Sequence, residues 1–190
     1  MSEHNYDSYC GIYCGACDIL TAYKTGRKTK LSDFWSEPLL KTFLRSQRVD
    51  YKDSRTLQLQ CDGCKSDNVF INCKICQIRT CAKVKEVEHC IDCSEYPCAM
   101  IVNRKKIEGL LPHLKCTHSN METIRKNGVA QWLGEQEKRW QCPDCGASFA
   151  WYSKKCGACG KDLRGKAYKF TFVQSALLKL GIRLASLKKN

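Results

Sequence analysis

The chain has no apolar run near the roughly 18 residues needed to span a bilayer. Its opening, "MSEHNYDSYCGIY", has no basic segment followed by an apolar stretch. A cytoplasmic protein without a secretory signal or transmembrane segment is therefore expected. No Gly-rich phosphate loop, serine elbow or H-E-x-x-H motif occurs. The 190 residues also fall short of the roughly 200 or more of a (β/α)8 barrel. These absences lean away from an enzyme and towards a binding module. Strand signals are scarce outside the last cysteine cluster.

Cysteine is what the chain has in excess. Sixteen in 190 residues is far above average usage, so staples must supply stability that a modest core does not. In a reducing compartment, repeated C-x2-C pairs read as metal ligands rather than disulfides. The formal net charge is +13. A zinc ion held by four thiolates carries a net −2, so four such sites would bring +13 to +5. Bulk charge is then a weak argument for a nucleic-acid partner.

The strongest motif is "CPDCGASFAWYSKKCGACG", residues 142 to 160. Two C-x2-C knuckles place Cys142, Cys145, Cys156 and Cys159 for a tetrahedral S4 site, and the glycine after each second cysteine suits a left-handed turn. The ten-residue spacer suits a hairpin. A β-hairpin zinc ribbon is expected, structural because its coordination is closed, with a rubredoxin-type iron site as the other tetrahedral option. Phe149, Trp151 and Tyr152 either cover the metal or stack on bases.

The other twelve cysteines supply up to three more sites, about four zinc ions in all. "CKICQIRTC" and "CIDCSEYPC" share the spacing C-x2-C-x4-C, so Cys73, Cys76 and Cys81 map onto Cys90, Cys93 and Cys98. Cys81 and Cys98 are placed at helix starts, where the dipole favours a thiolate. The partition groups Cys61, Cys64, Cys73 and Cys76 as one site and Cys81, Cys90, Cys93 and Cys98 as another. Cys10, Cys14 and Cys17 then take a fourth ligand from Cys116, His113 or His118. His89 reads as a surface histidine, and His4 carries no signal.

The expected architecture is a small metal-stapled α+β fold of short helices held by cysteine knuckles. A cysteine-rich domain spans 1–117, a helical connector 118–140, the ribbon 141–165 and a basic amphipathic helix 166–190. Ser119 and Glu122 form a capping box, Asn127-Gly128 a stop, and a second helix runs from about Val129 to Lys138 with Trp132 and Leu133 on its apolar side. Phe34, Trp35, Leu39, Leu40, Phe43 and Leu44 read as core. Another helix follows Pro97 and ends towards Gly109 and Pro112.

"CGIYCGAC", "CDGC", "CKICQIRTCA" and "EHCIDCSEYPC" together resemble a widespread prokaryotic family of cysteine-rich proteins, a domain of unknown function taken to bind zinc. The resemblance covers roughly residues 8 to 115, and "GVAQWLGEQEKRWQCPDCG" looks like an extension before an appended ribbon. It implies that Cys10, Cys14, Cys17, Cys61, Cys64, Cys73, Cys76, Cys81, Cys90, Cys93 and Cys98 form a metal framework, with Cys116 outside it. It implies no activity.

The triplet's C-x3-C-x2-C spacing is that of radical-SAM loops, but Ala16 stands where those loops carry an aromatic residue. One corner of a structural zinc site is the expected role, with an iron–sulfur redox or accessory protein as the alternative. At the C-terminus Val173, Leu177, Leu180, Leu184 and Leu187 form one apolar stripe, with Lys179, Arg183, Lys188 and Lys189 off it. Docking on the ribbon, pairing with a protein or contact with an anionic membrane surface are its uses. A structural-zinc interaction module binding protein, RNA or DNA is the expected function.

Overall fold

The computed structural model describes residues 5–27, 29, 41, 44, 45 and 58–187, with the side chains of residue 179 and those beyond 180 excepted. Helix α1 (Asp18–Thr25) follows the first cysteine turn, buries Ile19 and Leu20, and ends at Gly26. Helices α2 (Ile71–Lys74) and α3 (Gln77–Val84) carry the next cysteines, and α4 (Ala99–Glu108) follows Pro97 with Cys98 as N-cap. Helix α5 (Thr117–Asn127) buries Thr117, Asn120, Met121 and Ile124, the i, i+3, i+4, i+7 spacing of one helical face. The chain breaks at Gly128, and α6 (Val129–Arg139) packs back on α5 through the fully buried Trp132. Helix α7 (Phe172–Leu187) closes the order.

One apolar cluster joins the first cysteine turn to the distal half. Tyr13 and Ala16 meet Met121, Ile124, Trp132, Trp140, Phe149, Trp151 and Leu163, and Tyr13 meets Trp132 edge-on at 6.1 Å between centroids. A smaller cluster gathers Cys14, Ile19, Leu20, Leu44, Cys61, Phe70 and Ile71. No helix among the described residues is long and apolar enough to cross a membrane.

The expected α+β fold is corrected to a helical one. Among the described residues there is no strand, sheet or hairpin, only the isolated bridges Gln141–Ser148 and Lys155–Asp162. The spacer's backbone amides are engaged elsewhere. Phe149 N–H donates to Trp140 O, Trp151 N–H to Ala16 O, and Ser153 N–H to Ala150 O within a turn. Its aromatic side chains turn into the core, with Phe149, Trp151 and Tyr152 all buried. A hairpin ladder would need those amides to pair across the spacer.

Smaller expectations also shift. Helix α5 begins at Thr117, two residues before the expected capping box, and Ser119 Oγ donates to Cys116 O. Cys81 lies inside α3, whose N-cap is Cys76, whereas Cys98 does stand at a helix start. Leu44 is fully buried; Phe34, Trp35, Leu39, Leu40 and Phe43 lie outside the described residues. In α7 the described part of the stripe, Val173, Leu177 and Leu180, is exposed rather than docked, while Gln174 Nε2 donates to Gly109 O and Leu178 lines the cysteine cavity. Leu184, Leu187, Arg183 and Lys179 have no described side chains, and His4, Lys188 and Lys189 lie outside the described residues.

Candidate metal centres

The distal site is built from one unit used twice. Cys142 N–H donates to Ala147 O and Gly146 N–H returns to Cys142 O; Cys156 N–H donates to Lys161 O and Gly160 N–H returns to Cys156 O. Gly146 and Gly160 take φ of 72° and 78°, the left-handed turn that the knuckle spacing calls for. The four sulfurs lie within 4.8 Å of one another, so Cys142, Cys145, Cys156 and Cys159 can hold a metal ion. Cys142 and Cys159 are 3.6 Å apart, as are Cys145 and Cys156. The Cys159 and Ala158 N–H groups and the Cys145 thiol draw Cys156 down to about 6, which favours a thiolate there.

In the N-terminal half, Cys81, Cys90, Cys93 and Cys98 line one small pocket of about 40 Å³ together with Tyr96 and Ile101. The expected second group is thus brought to one place. The other expected group, Cys61, Cys64, Cys73 and Cys76, shares its surroundings with the opening triplet. Cys10, Cys14, Cys17, Cys61, Cys64, Cys73 and Cys76 all line a single cavity of about 400 Å³. Within it, Cys73 hydrogen-bonds Cys61, and Cys14 and Cys17 are the next charged neighbours of Cys73. Cys64 instead has Cys10 and Cys76 as neighbours. Cys14 in turn lies beside both Cys64 and Cys61, so the seven cysteines form one continuous set around the cavity.

Burial raises Cys14, Cys17 and Cys64 and mutual repulsion adds to it, whereas the hydrogen bond from Cys73 draws Cys61 down to about 6. Cys14 lies well above the ordinary range through burial and then Cys64, Cys17 and Cys61. Burial pushes Cys64 and Cys17 up to about 12. Without a cation Cys14, Cys17 and Cys64 stay protonated; a metal ion reverses that.

Of the three candidate fourth ligands, only His113 lines the cavity. Its Nδ1 is 2.7 Å from the Tyr152 hydroxyl, its ring stacks on Trp151 at 4.3 Å, and burial followed by the Arg104 charge lowers it to about 4. Cys116 Sγ instead accepts from Tyr168 Oη and donates to His113 O. His118 Nδ1 meets Tyr96 Oη at 2.9 Å. His89 is corrected from a surface histidine to a buried one, with Nε2 3.0 Å from both carboxylate oxygens of Asp7. Asp7 also pairs with Lys65 at 2.6 Å.

The sequence model of a family described as "Protein of unknown function (DUF3795)" matches residues 6–103, just over half of the chain. The chain belongs to this family. The DUF3795 region takes in Cys10 through Cys98, and the distal cysteine site, α5, α6 and α7 follow it. No curated protein and no solved structure matches the chain.

Sequence reasoning missed Asp7 as the partner of His89, and Arg79 and Arg104 as donors to the carbonyls of Cys64 and Cys10. Asp7 has no local motif. Arg79 and Arg104 lie on helices of a chain with 32 basic residues, where nothing marks an arginine that turns back onto a cysteine carbonyl.

Proposed function

We propose that this DUF3795 protein is a metal-stapled interaction module, with one structural zinc ion at the distal site and further metal bracing the family domain. The observation that carries the reading is the convergence of the four distal sulfurs. A tetrahedral ion bonded at about 2.3 Å sets its sulfurs roughly 3.8 Å apart, close to the observed 3.6 Å. Four thiolates fill the coordination shell, so the ion's role is to fix the fold.

The partner is a protein with an acidic, partly apolar surface. Phe172, Val173, Leu177 and Leu180 are exposed along α7, and residues 161–190 carry eight Lys or Arg against one Asp. Burial of Phe149, Trp151 and Tyr152 removes the aromatic platform that single-stranded nucleic acid would use.

Two measurements test this. Mass spectrometry of protein purified without oxygen should find one zinc that Cys145→Ser with Cys159→Ser removes; iron at that site would make it a rubredoxin-type centre. Val173→Asp with Leu177→Asp should abolish capture of acidic protein partners without lowering the melting temperature. RNA or DNA binding that survives this pair, with the steep salt dependence of phosphate contacts, would replace the protein partner.

A further inference from the structure

Cys81, Cys90, Cys93 and Cys98 stand differently from the distal cysteines. Each main chain is fixed in a closed turn: Cys81 O accepts from Lys85 N–H at 2.9 Å, Cys90 O from Cys93 N–H at 3.3 Å, Cys93 O from Tyr96 N–H at 3.0 Å and Cys98 O from Val102 N–H at 3.0 Å. Among the described residues only the distal cysteines bring three or more sulfurs within 4.8 Å of one another, so no three of these four do. A single ion bonded at about 2.3 Å needs that convergence. The four instead wall one pocket of about 40 Å³. A water needs roughly 10–15 Å³ of such space, so there is room between the thiols for about three atoms of that size. A two-iron cluster fills such a gap with its two bridging sulfides and sets its thiolates in two pairs on opposite sides.

The rest of the pocket adds two features that such a centre uses. Ile78, Ala82, Val87, Met100 and Ile101 contribute apolar wall, which keeps water from the sulfides. Lys85 lines the same pocket, and its Nζ donates to Cys93 Sγ at 3.8 Å while pairing with Glu95 at 2.5 Å. A charged donor on a ligating sulfur is one of the means by which a protein sets a cluster's potential.

We propose that Cys81, Cys90, Cys93 and Cys98 hold a two-iron, two-sulfide cluster, with Lys85 donating to the Cys93 thiolate. Each thiol gives its proton to solvent as its sulfur bonds iron. Two ferric ions, two sulfides and four thiolates then carry a net charge of minus two. One electron from an external donor turns one ferric ion ferrous and brings the net charge to minus three, the form that the Lys85 ammonium favours. The proposal rests on the metal reading of the family domain, names the cofactor at this one site and is independent of the distal zinc.

The test uses the full chain, purified without oxygen, incubated with ferric iron and sulfide, and desalted. Iron, acid-labile sulfide and zinc are counted per chain, and absorption spectra are recorded before and after dithionite. Cys90→Ala with Cys93→Ala should hold about two iron and two sulfide fewer than wild type and keep the distal zinc. Cys145→Ser with Cys159→Ser should show the reverse. Lys85→Gln should keep the cluster and move its midpoint potential to more negative values, because the cation that favours the reduced form is gone. Wild-type protein without labile sulfide overturns the proposal whatever the variants do. Full retention of sulfide by the Cys90/Cys93 variant overturns the ligand assignment, and a loss of about four of each overturns the two-iron core. A Cys90/Cys93 variant that also loses the distal zinc has not folded, and Lys85→Gln then decides: an unchanged midpoint overturns the site. Wild-type protein with the sulfide but no distal zinc would leave the cluster standing and strike only at the structural-zinc reading.

Discussion

The backbone N–H of Trp151 donates to the carbonyl oxygen of Ala16 at 2.9 Å, which joins the distal metal site to the turn between Cys14 and Cys17. Trp151 and Ala16 also share one apolar cluster. The two cysteine-bearing halves are therefore mechanically continuous. Removing the distal metal with Cys145→Ser and Cys159→Ser should lower amide-exchange protection not only over 140–163 but also over 13–20. Exchange in 13–20 that stays at its wild-type rate would mean that the halves open as separate units.

Trp132 tests the shared core. It is fully buried, meets Tyr13 edge-on, and its Nε1 has no hydrogen-bond partner. Trp132→Ala should cost about 3–5 kcal/mol in denaturant unfolding of the metal-loaded protein. Trp132→Phe keeps most of the apolar area and deletes the unpartnered N–H, so it should cost less than half as much. Equal losses for the two variants would show that the indole's shape, not its burial, is what matters.

The Asp7, His89 and Lys65 network predicts an acid limit. Burial alone would raise Asp7, but the hydrogen bonds from His89 and Lys65, with their charges, outweigh it and hold the carboxyl below its usual 3.8. A depressed carboxylate contributes stability above its unfolded value and loses it as pH falls through the folded one. Stability should therefore drop as pH falls below about 4. Thiolate centres also release metal in acid, so the comparison is between wild type and Asp7→Asn at equal metal loading. The variant should be less stable at neutral pH, and the gap should narrow as pH falls; a constant gap would remove Asp7 from the titration.

How far the sequence carries is clearest where structure is local. The two knuckles with their following glycines, the stop at Asn127-Gly128, the span of α6 and the burial of Trp132 all follow from neighbours within a few residues. Contacts set by distant partners were not readable. Cys116 took the N-cap place that Ser119 and Glu122 suggest, because the preceding turn at Pro112–Leu114 delivers the chain to α5 three residues early. The spacer between the distal knuckles has hairpin composition, yet Ala16 and Trp140 capture its amides. Spacing groups Cys61 and Cys64 with Cys73 and Cys76, but the first cysteine turn lines the same cavity and sets Cys14 beside both Cys61 and Cys64.

Gly63 places that first turn, and it gives the sharpest backbone prediction. Its φ is 111°, and a Cβ added there would lie 1.6 Å from Asn5 O. Asn5 N–H in turn donates to Asp62 O at 2.7 Å, so the N-terminal segment crosses directly over the Cys61–Cys64 turn. Gly63→Ala has two faults, a backbone conformation that side chains resist and a collision with main chain that cannot rotate away. It should destabilise by well over about 1 kcal/mol and weaken metal retention by the cavity cysteines while sparing the distal ion. Gly26→Ala is the matched control: its φ of 64° is also left-handed, but an added Cβ meets nothing within 4 Å, so only the conformational cost remains. Metal counts per chain after mild chelation separate the two. Equal retention in both variants would show that the crossing of Asn5 over Gly63 does not position the cavity cysteines.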